Sequence, residues 1–151
     1  MEPNLSGADI LVESLIRHGV EVVFAYPGGA SMPIHQSLTK VEDRLRTILP
    51  RHEQGGAHAA DGYARGAGRV GVCMGTSGPG ATNLVTGAAN ATVNRLPVLL
   101  LPGDRFATRR VKPVLQQLER PEAGDLSVND ALRPVSRYFD RIERPEMLID
   151  A

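Results

Sequence analysis

The chain has 151 residues, 17 basic and 17 acidic, with no formal net charge, so it can bury a core as one domain without disulfide staples. Charge neutrality, the absence of Trp and the low aromatic content argue against a nucleic-acid footprint or a base-stacking surface. A single cysteine (Cys73), the lack of any run near the roughly 18 apolar residues of a membrane span, and an N-terminus "MEPNLSGADI" without signal-peptide character point to a reducing, cytoplasmic setting and no membrane partner.

In chain order, "GADILVESLIRHG" (7–19) predicts a helix with Ile10, Leu11, Leu15 and Ile16 near one face and Gly19 as the stop. "VEVVFAY" (20–26) reads as a buried strand ended by "PGG". "SMPIHQSLTK" (31–40) reads as a helix with Ser31 as N-cap and Pro33 in its first turn. "LRTILP" (45–50) is a second strand, "QGGAHAADGYARGAG" (54–68) a helix of small residues, and "VGVCMG" (70–75) a third strand. "GATNLVTGAANATVN" (80–94) predicts one further helix and "PVLLLPGD" (97–104) a fourth strand. Pro102 to Pro121 is rich in Pro and Arg and reads as a surface loop. "KPVLQQLERPE" (112–122) and "SVNDALRPV" (127–135) read as short helical pieces, "SRYFDRI" (136–142) as a last strand, and "RPEMLIDA" as the first turns of a helix. Near-continuous apolar strands alternating with helices predict an α/β fold: three layers, a doubly wound, mostly parallel sheet covered on both faces.

Ligands of such sheets bind beyond the carboxyl ends of the strands. Three loops fall there, "AYPGGAS" (25–31), "PRHEQGG" (50–56) and "GTSGPGATN" (75–83), all rich in residues that let backbone approach a ligand. "TSGPGATN" is not a phosphate loop: the third glycine of the dinucleotide fingerprint is missing, Pro79 removes a donor, and no Gly-Lys-Ser/Thr follows. Glu53 is the pivotal residue. It can be read as a first-turn carboxylate favoured by the helix dipole, or as a partly buried acid beside small residues, able to hold or share a proton. His35, His52 and His58 have neither the spacing nor the companions of a metal cage, so no metal ligand is assigned. Arg105, Arg109 and Arg110 read as a solvated loop, with contact to an anionic substrate as the lesser reading.

"GADILVESLIRHGVEVVFAYPGGASMPIHQSL" and "ILPRHEQGGAHAADGYARGAGRVGVCMGTSGPGATNLVTG" closely resemble the N-terminal pyrimidine-binding (PYR) domain of thiamine-diphosphate enzymes, the acetolactate synthase group above all, over residues 7–90. "NRLPVLLLPGDRFATRRVKPVLQQLE" and "SVNDALRPVSRYFDRIERPEML", over residues 94–148, resemble the same domain of trihydroxycyclohexanedione hydrolase, an enzyme of inositol breakdown. The chain therefore resembles a mosaic of two subfamilies, as in a recombined or designed chimera or a natural intermediate. The resemblance implies thiamine diphosphate as cofactor. Glu53 would hydrogen-bond the pyrimidine nitrogen N1′ and favour the imino tautomer that takes the proton from thiazolium C2 to make the ylid. The loops carrying Tyr26, Pro27 and Gly28, and Thr76, Pro79 and Asn83, would line the pyrimidine. Gln116 would stand near the thiazolium, a weaker transfer because "VLQQ" replaces an aromatic before the Gln.

The family holds the diphosphate through Mg2+ on a separate domain with a Gly-Asp-Gly start, which nothing here matches. The expectation is a single pyrimidine-binding domain over 1–151, without central or diphosphate-binding domains, its sheet C-terminally truncated and the chain inactive in isolation. It would form a homodimer or higher homo-oligomer, or be the small subunit of a split decarboxylase or hydrolase completed by a diphosphate-binding subunit. The full enzyme would act on a small 2-keto acid or a cyclic diketone. A non-catalytic oligomeric scaffold is the remaining reading.

Overall fold

The computed structural model describes residues 5–107, 115–120, 122 and 126–151. Helix α1 (Gly7–Arg17) begins with a capping box, in which the Ser6 hydroxyl accepts from the Asp9 N–H and the Asp9 carboxylate accepts from the Ser6 N–H. It buries Val12 and Leu15, while Ile10, Leu11 and Ile16 are half-covered. Gly19, at φ +77°, turns the chain into strand β1 (Val22–Ala25). A 3₁₀ turn (Gly29–Ser31) leads into α2 (Met32–Thr39), with Pro33 in the first turn as expected. Ser31 occupies the N-cap position without capping: its hydroxyl donates to the Gly28 carbonyl, because the 3₁₀ turn already gives the residue helical dihedrals.

Strand β2 (Arg46–Ile48), helix α3 (Glu53–Ala67) and strand β3 (Gly71–Gly75) follow within a residue or two of their predicted limits. Gly68 ends α3 in the left-handed conformation at φ +64°. The single helix expected over 80–94 is instead two: α4 (Pro79–Thr82) and α5 (Val85–Val93), separated at Asn83 and the fully buried Leu84. Among the described residues, strand β4 (Val98–Pro102) is the fourth of a parallel sheet in the order β2-β1-β3-β4.

Period-two alternation divides the core. Val23, Ala25, Val72 and Met74 face α1 and α2 in a cluster with Val12, Leu15, Leu38 and Leu45. Phe24, Cys73 and Leu100 face α3 and α5, against Ala57, Ala60, Leu84, Ala88 and Leu132. Helices thus cover both faces and the sheet is doubly wound. On the second face the layers approach through absent side chains: a Cβ on Gly71 would lie 2.0 Å from the Ala60 carbonyl oxygen.

After β4 the structure departs from expectation. "SVNDALRPV" forms a 3₁₀ helix, Val128–Val135, with a Ser127/Asp130 capping box and Pro134 inside it. Proline removes a donor that an α-helix would use there. "SRYFDRI" is not a strand. The Phe139 ring packs on the second core cluster and lies under the Arg133 guanidinium (4.3 Å) and near that of Arg141 (5.8 Å), so side-chain contacts and not a ladder hold the segment. In "KPVLQQLERPE", residues 115–120 are a turn and irregular chain, with Gln116 at φ +64°; 112–114 and 121 lie outside the described residues, as do Arg109 and Arg110. "RPEMLIDA" contributes a 3₁₀ turn, Pro145–Leu148.

Candidate functional site

The strand order has a consequence for ligand binding. From β1 the chain moves outward through α2 to β2; α3 then carries it back past β1 to β3. The reversal leaves a crevice between the carboxyl ends of β1 and β3, the switch point where open parallel sheets bind ligands. The "AYPGGAS" loop leaves β1 there, "GTSGPGATN" leaves β3, and the loop after β2 delivers the N-terminus of α3.

Glu53 is the first residue of α3 and is only 7% exposed. His52 caps this end, its Nδ1 accepting from the Gln54 N–H at 3.2 Å. Glu53 Oε2 accepts a 3.0 Å hydrogen bond from Asn83 Nδ2. Its stem and Oε1 run along glycine backbone: a Cβ on Gly75 would lie 3.3 Å from Glu53 Cγ, and one on Gly80 would lie 3.2 Å from Oε1. Of the two readings open at Glu53, the structure has the buried acid among small residues, and it also has the helix N-terminus. Beneath it, burial and, secondarily, the Glu53 charge push the Cys73 thiol up to about 12, so Cys73 is a neutral core residue.

Asn83 reaches the carboxylate itself, and the other candidates lie on the loops that leave β1 and β3 or, for Gln116, against them. Tyr26 extends the β1 ladder, its N–H donating to the Met74 carbonyl at 3.0 Å; Pro27 is exposed at the crevice mouth. Gly28 lies against the buried Thr76, whose Oγ1 accepts from the Ala30 N–H at 3.3 Å and can donate to Gln116 Oε1 at 3.4 Å. Pro79 opens α4 on the surface. Gln116, 40 residues from Thr76, is brought to the same rim: its Oε1 also accepts from the Gly29 N–H (3.4 Å), and its carbonyl accepts from the Ser77 hydroxyl (3.4 Å). This approach requires Gly78, at φ +58°, where a Cβ would fall 1.9 Å from the Gln116 carbonyl oxygen.

Three supporting residues escaped sequence reasoning. Asn129 Nδ2 donates to the Gly103 carbonyl at 3.0 Å; Ser127 Oγ donates to Asp104 Oδ1; and Arg141 Nε pairs with Asp104 Oδ2 at 2.8 Å. Together they pin the loop after β4, whose Gly103 sits against Ala30 and Ser77. The Ser-x-x-Asp capping signature at 127–130 was the available signal. Of His35, His52 and His58, His52 caps α3, His35 Nδ1 lies 3.0 Å from the Ser31 carbonyl oxygen, and His58 is exposed. Arg105 Nη1 donates to the Leu126 carbonyl at 3.2 Å. Among the described residues no three His, Cys, Asp or Glu side chains are grouped to hold a metal ion, and no helix is long and apolar enough to cross a membrane.

The site therefore offers a buried carboxylate packed among glycine backbone between two strand ends. Such an acid can share a proton with a ligand's ring nitrogen.

The family described as "Thiamine pyrophosphate enzyme, N-terminal TPP binding domain" matches residues 5–123. A chloroplastic acetolactate synthase of Arabidopsis thaliana is 62% identical over 142 residues, covering 88% of this chain and 21% of the relative. Acetolactate synthase 2 of Nicotiana tabacum is 60% identical with the same coverage, and the acetolactate synthase large subunit of Parasynechococcus marenigrum is 54% identical over 101 residues. The chain spans about a fifth of the length of the curated relatives it matches.

Proposed function

The chain belongs to the thiamine pyrophosphate enzyme family, as an N-terminal cofactor-binding domain, and from that membership we propose that it binds the pyrimidine end of thiamine diphosphate, with Glu53 as the ring's proton partner. The observation that carries this reading is the buried Glu53 carboxylate on the floor of the β1/β3 crevice, its Oε1 beside Gly80 and its Oε2 held by Asn83. Gly28, Gly75 and Gly80 let the loops and the Glu53 and Thr76 side chains pack against bare backbone, which draws the acid in between the two strand ends.

When bound, thiamine diphosphate supplies the carbon acid and electron sink for chemistry beside a carbonyl group. The work of this chain is narrower. Glu53 holds or shares a proton at a ring nitrogen, and its burial keeps water from competing for that position. Tyr26, Pro27, Gly28, Thr76, Pro79 and Asn83 would line the ring, and Gln116, held against Gly29 and Thr76, would stand near the thiazolium.

The diphosphate and its Mg2+ would be held by a separate diphosphate-binding domain, so these 151 residues amount to half a site. Self-association as a homodimer or higher oligomer would use α3, where Gly55, Gly62 and Gly66 have nothing within 4 Å of a built Cβ. In a complete assembly the reaction would be an acetolactate-synthase-like carboligation or lysis of a small 2-keto acid, with cleavage of a cyclic diketone as the alternative. A reducing cytoplasm fits the lone buried thiol.

Titration calorimetry of the chain with thiamine diphosphate and Mg2+, alone and mixed with a diphosphate-binding subunit, tests the reading. Weak binding alone that tightens on mixing is expected. No heat and no complex in either case would overturn it in favour of a purely assembling module.

A further inference from the structure

We infer that Asn83 is a positioning residue that divides the two oxygens of Glu53, pinning Oε2 and thereby turning Oε1 toward the ligand's ring nitrogen; this rests on the role proposed above for Glu53. The geometry is local and specific. Asn83 Nδ2 lies 3.0 Å from Glu53 Oε2, across 30 residues of sequence, and is the side-chain donor to that carboxylate among the described residues. Oε1 sits against Gly80, at 3.2 Å from where a Cβ would be.

The break between α4 and α5 explains how the amide is aimed. Asn83 caps α4, its N–H bonded to the Pro79 carbonyl, and the next residue, Leu84, is completely buried and anchors the chain before α5 begins. A side-chain amide at that junction reaches back over Gly80 to the acid. An amide suits the task because it donates without bringing charge, so it orients the carboxylate without fixing it as one half of an ion pair. A carboxylate free to rotate would present either oxygen, and a rotation of this kind loses the alignment on which proton transfer depends.

The other groups facing Glu53 leave this assignment to Asn83. From β3 comes the Cys73 thiol, held neutral by burial; its Sγ lies 4.0 Å from the backbone carbonyl of Glu53. His52, next in sequence, is exposed and engaged as the α3 cap.

Two measurements test the inference, one of them without cofactor. In the cofactor-free 15N-labelled chain, the Asn83 side-chain amide resonances should differ between the native protein and Glu53→Gln, which replaces the carboxylate acceptor by an amide. Resonances that are the same in both chains would overturn the pairing. The second measurement is exchange of the thiamine-diphosphate C2 proton. Asn83→Leu should slow it about tenfold when compared with the native chain at equal cofactor saturation, the pattern of a lost orienting contact. Asn83→Asp keeps the shape of the side chain but sets two carboxylates together. It should be slower than native at neutral pH and recover as pH falls, because such a pair retains a proton to higher pH. A merely structural Asn83 would tolerate the isosteric acid with an unchanged pH profile. If Glu53→Gln exchanges as fast as native, the role of Glu53 itself fails. If Glu53→Gln is slow while both Asn83 variants match native, the role of Glu53 stands and that of Asn83 fails.

Discussion

Gly28 and Thr76 meet so closely that a Cβ on residue 28 would lie 2.3 Å from Thr76 Cβ and 2.5 Å from its Oγ1. The two residues leave adjacent parallel strands, and Thr76 is 1% exposed, with its hydroxyl already bonded to the Ala30 N–H. Gly28 has extended backbone at φ −172°, so the demand for glycine there is steric. Gly28→Ala should therefore lower the urea midpoint by an amount equivalent to about 1–3 kcal/mol, the range for overpacking, and should weaken thiamine-diphosphate binding because the β1 loop must move. An alanine variant with native stability and affinity would show that the loops part easily.

The α3/α5 contact can be tested by a double-mutant cycle. A Cβ on Gly87 would lie 2.4 Å from the Ala57 Cβ, but no closer than 3.4 Å to the Ala57 backbone. Gly87→Ala alone should cost about 1–3 kcal/mol and Ala57→Gly about 1 kcal/mol. The pair combined should be less destabilised than the sum, with a coupling of about 0.5–3 kcal/mol. Strict additivity would place the strain elsewhere.

Cys73 should be inert in the folded chain. Burial, aided by the Glu53 charge, pushes its thiol up to about 12, and the residue has no exposed surface. Alkylation at pH 8 should proceed only at the rate of global unfolding and accelerate sharply in denaturant. Rapid native-state labelling would contradict the packing of β3 against α3.

Acid should loosen the α1/α2 face first. The Asp9 carboxyl is held well below its ordinary value, chiefly by the Lys40 ammonium and then by the Ser6 and Ser37 hydroxyls. A folded-state value below the unfolded one gives stability that is present above about pH 4 and is lost as pH falls further. Glu13, lowered by Arg44 and Arg17, acts in the same direction. Thermal midpoints measured from pH 6 down to pH 2.5 should decline less steeply in Asp9→Asn than in the native chain. Parallel profiles would remove Asp9 from the account.

Much of this architecture was legible in the sequence for identifiable reasons. The apolar runs of β1 and β3 stood out because helices cover the sheet on both faces, and Gly68 marked the end of α3 because it takes the left-handed conformation that glycine adopts without strain. That three glycine-rich loops would share one edge followed from the strand–helix alternation. What the sequence did not reveal is tertiary in origin. Nothing local distinguishes a continuous helix over 80–94 from two helices broken at Asn83, because both Asn83 and Leu84 keep helical dihedrals and the break depends on what Leu84 and Glu53 meet. Ser31 has the residue type of a cap, but the preceding 3₁₀ turn takes its place. "SRYFDRI" has a strand's composition, yet two arginines that stack on Phe139 come from positions 133 and 141, one before and one within that run. The contact of Gln116 with Gly29 and Thr76 joins residues 87 and 40 positions apart, beyond any pattern in a single sequence.

The central claim is that Glu53 serves as proton partner of the thiamine-diphosphate pyrimidine, and Glu53→Gln addresses it directly, since the amide keeps the shape of the side chain and removes its acid function. The rate of deuterium exchange at C2 of thiamine diphosphate should be compared for the two chains, each completed by a diphosphate-binding subunit, at equal cofactor saturation, with thermal unfolding as the check on the fold. The account predicts a folded variant whose exchange falls by about 100-fold or more, the scale of general acid–base assistance. Equal exchange rates in two equally folded, equally saturated chains would contradict it.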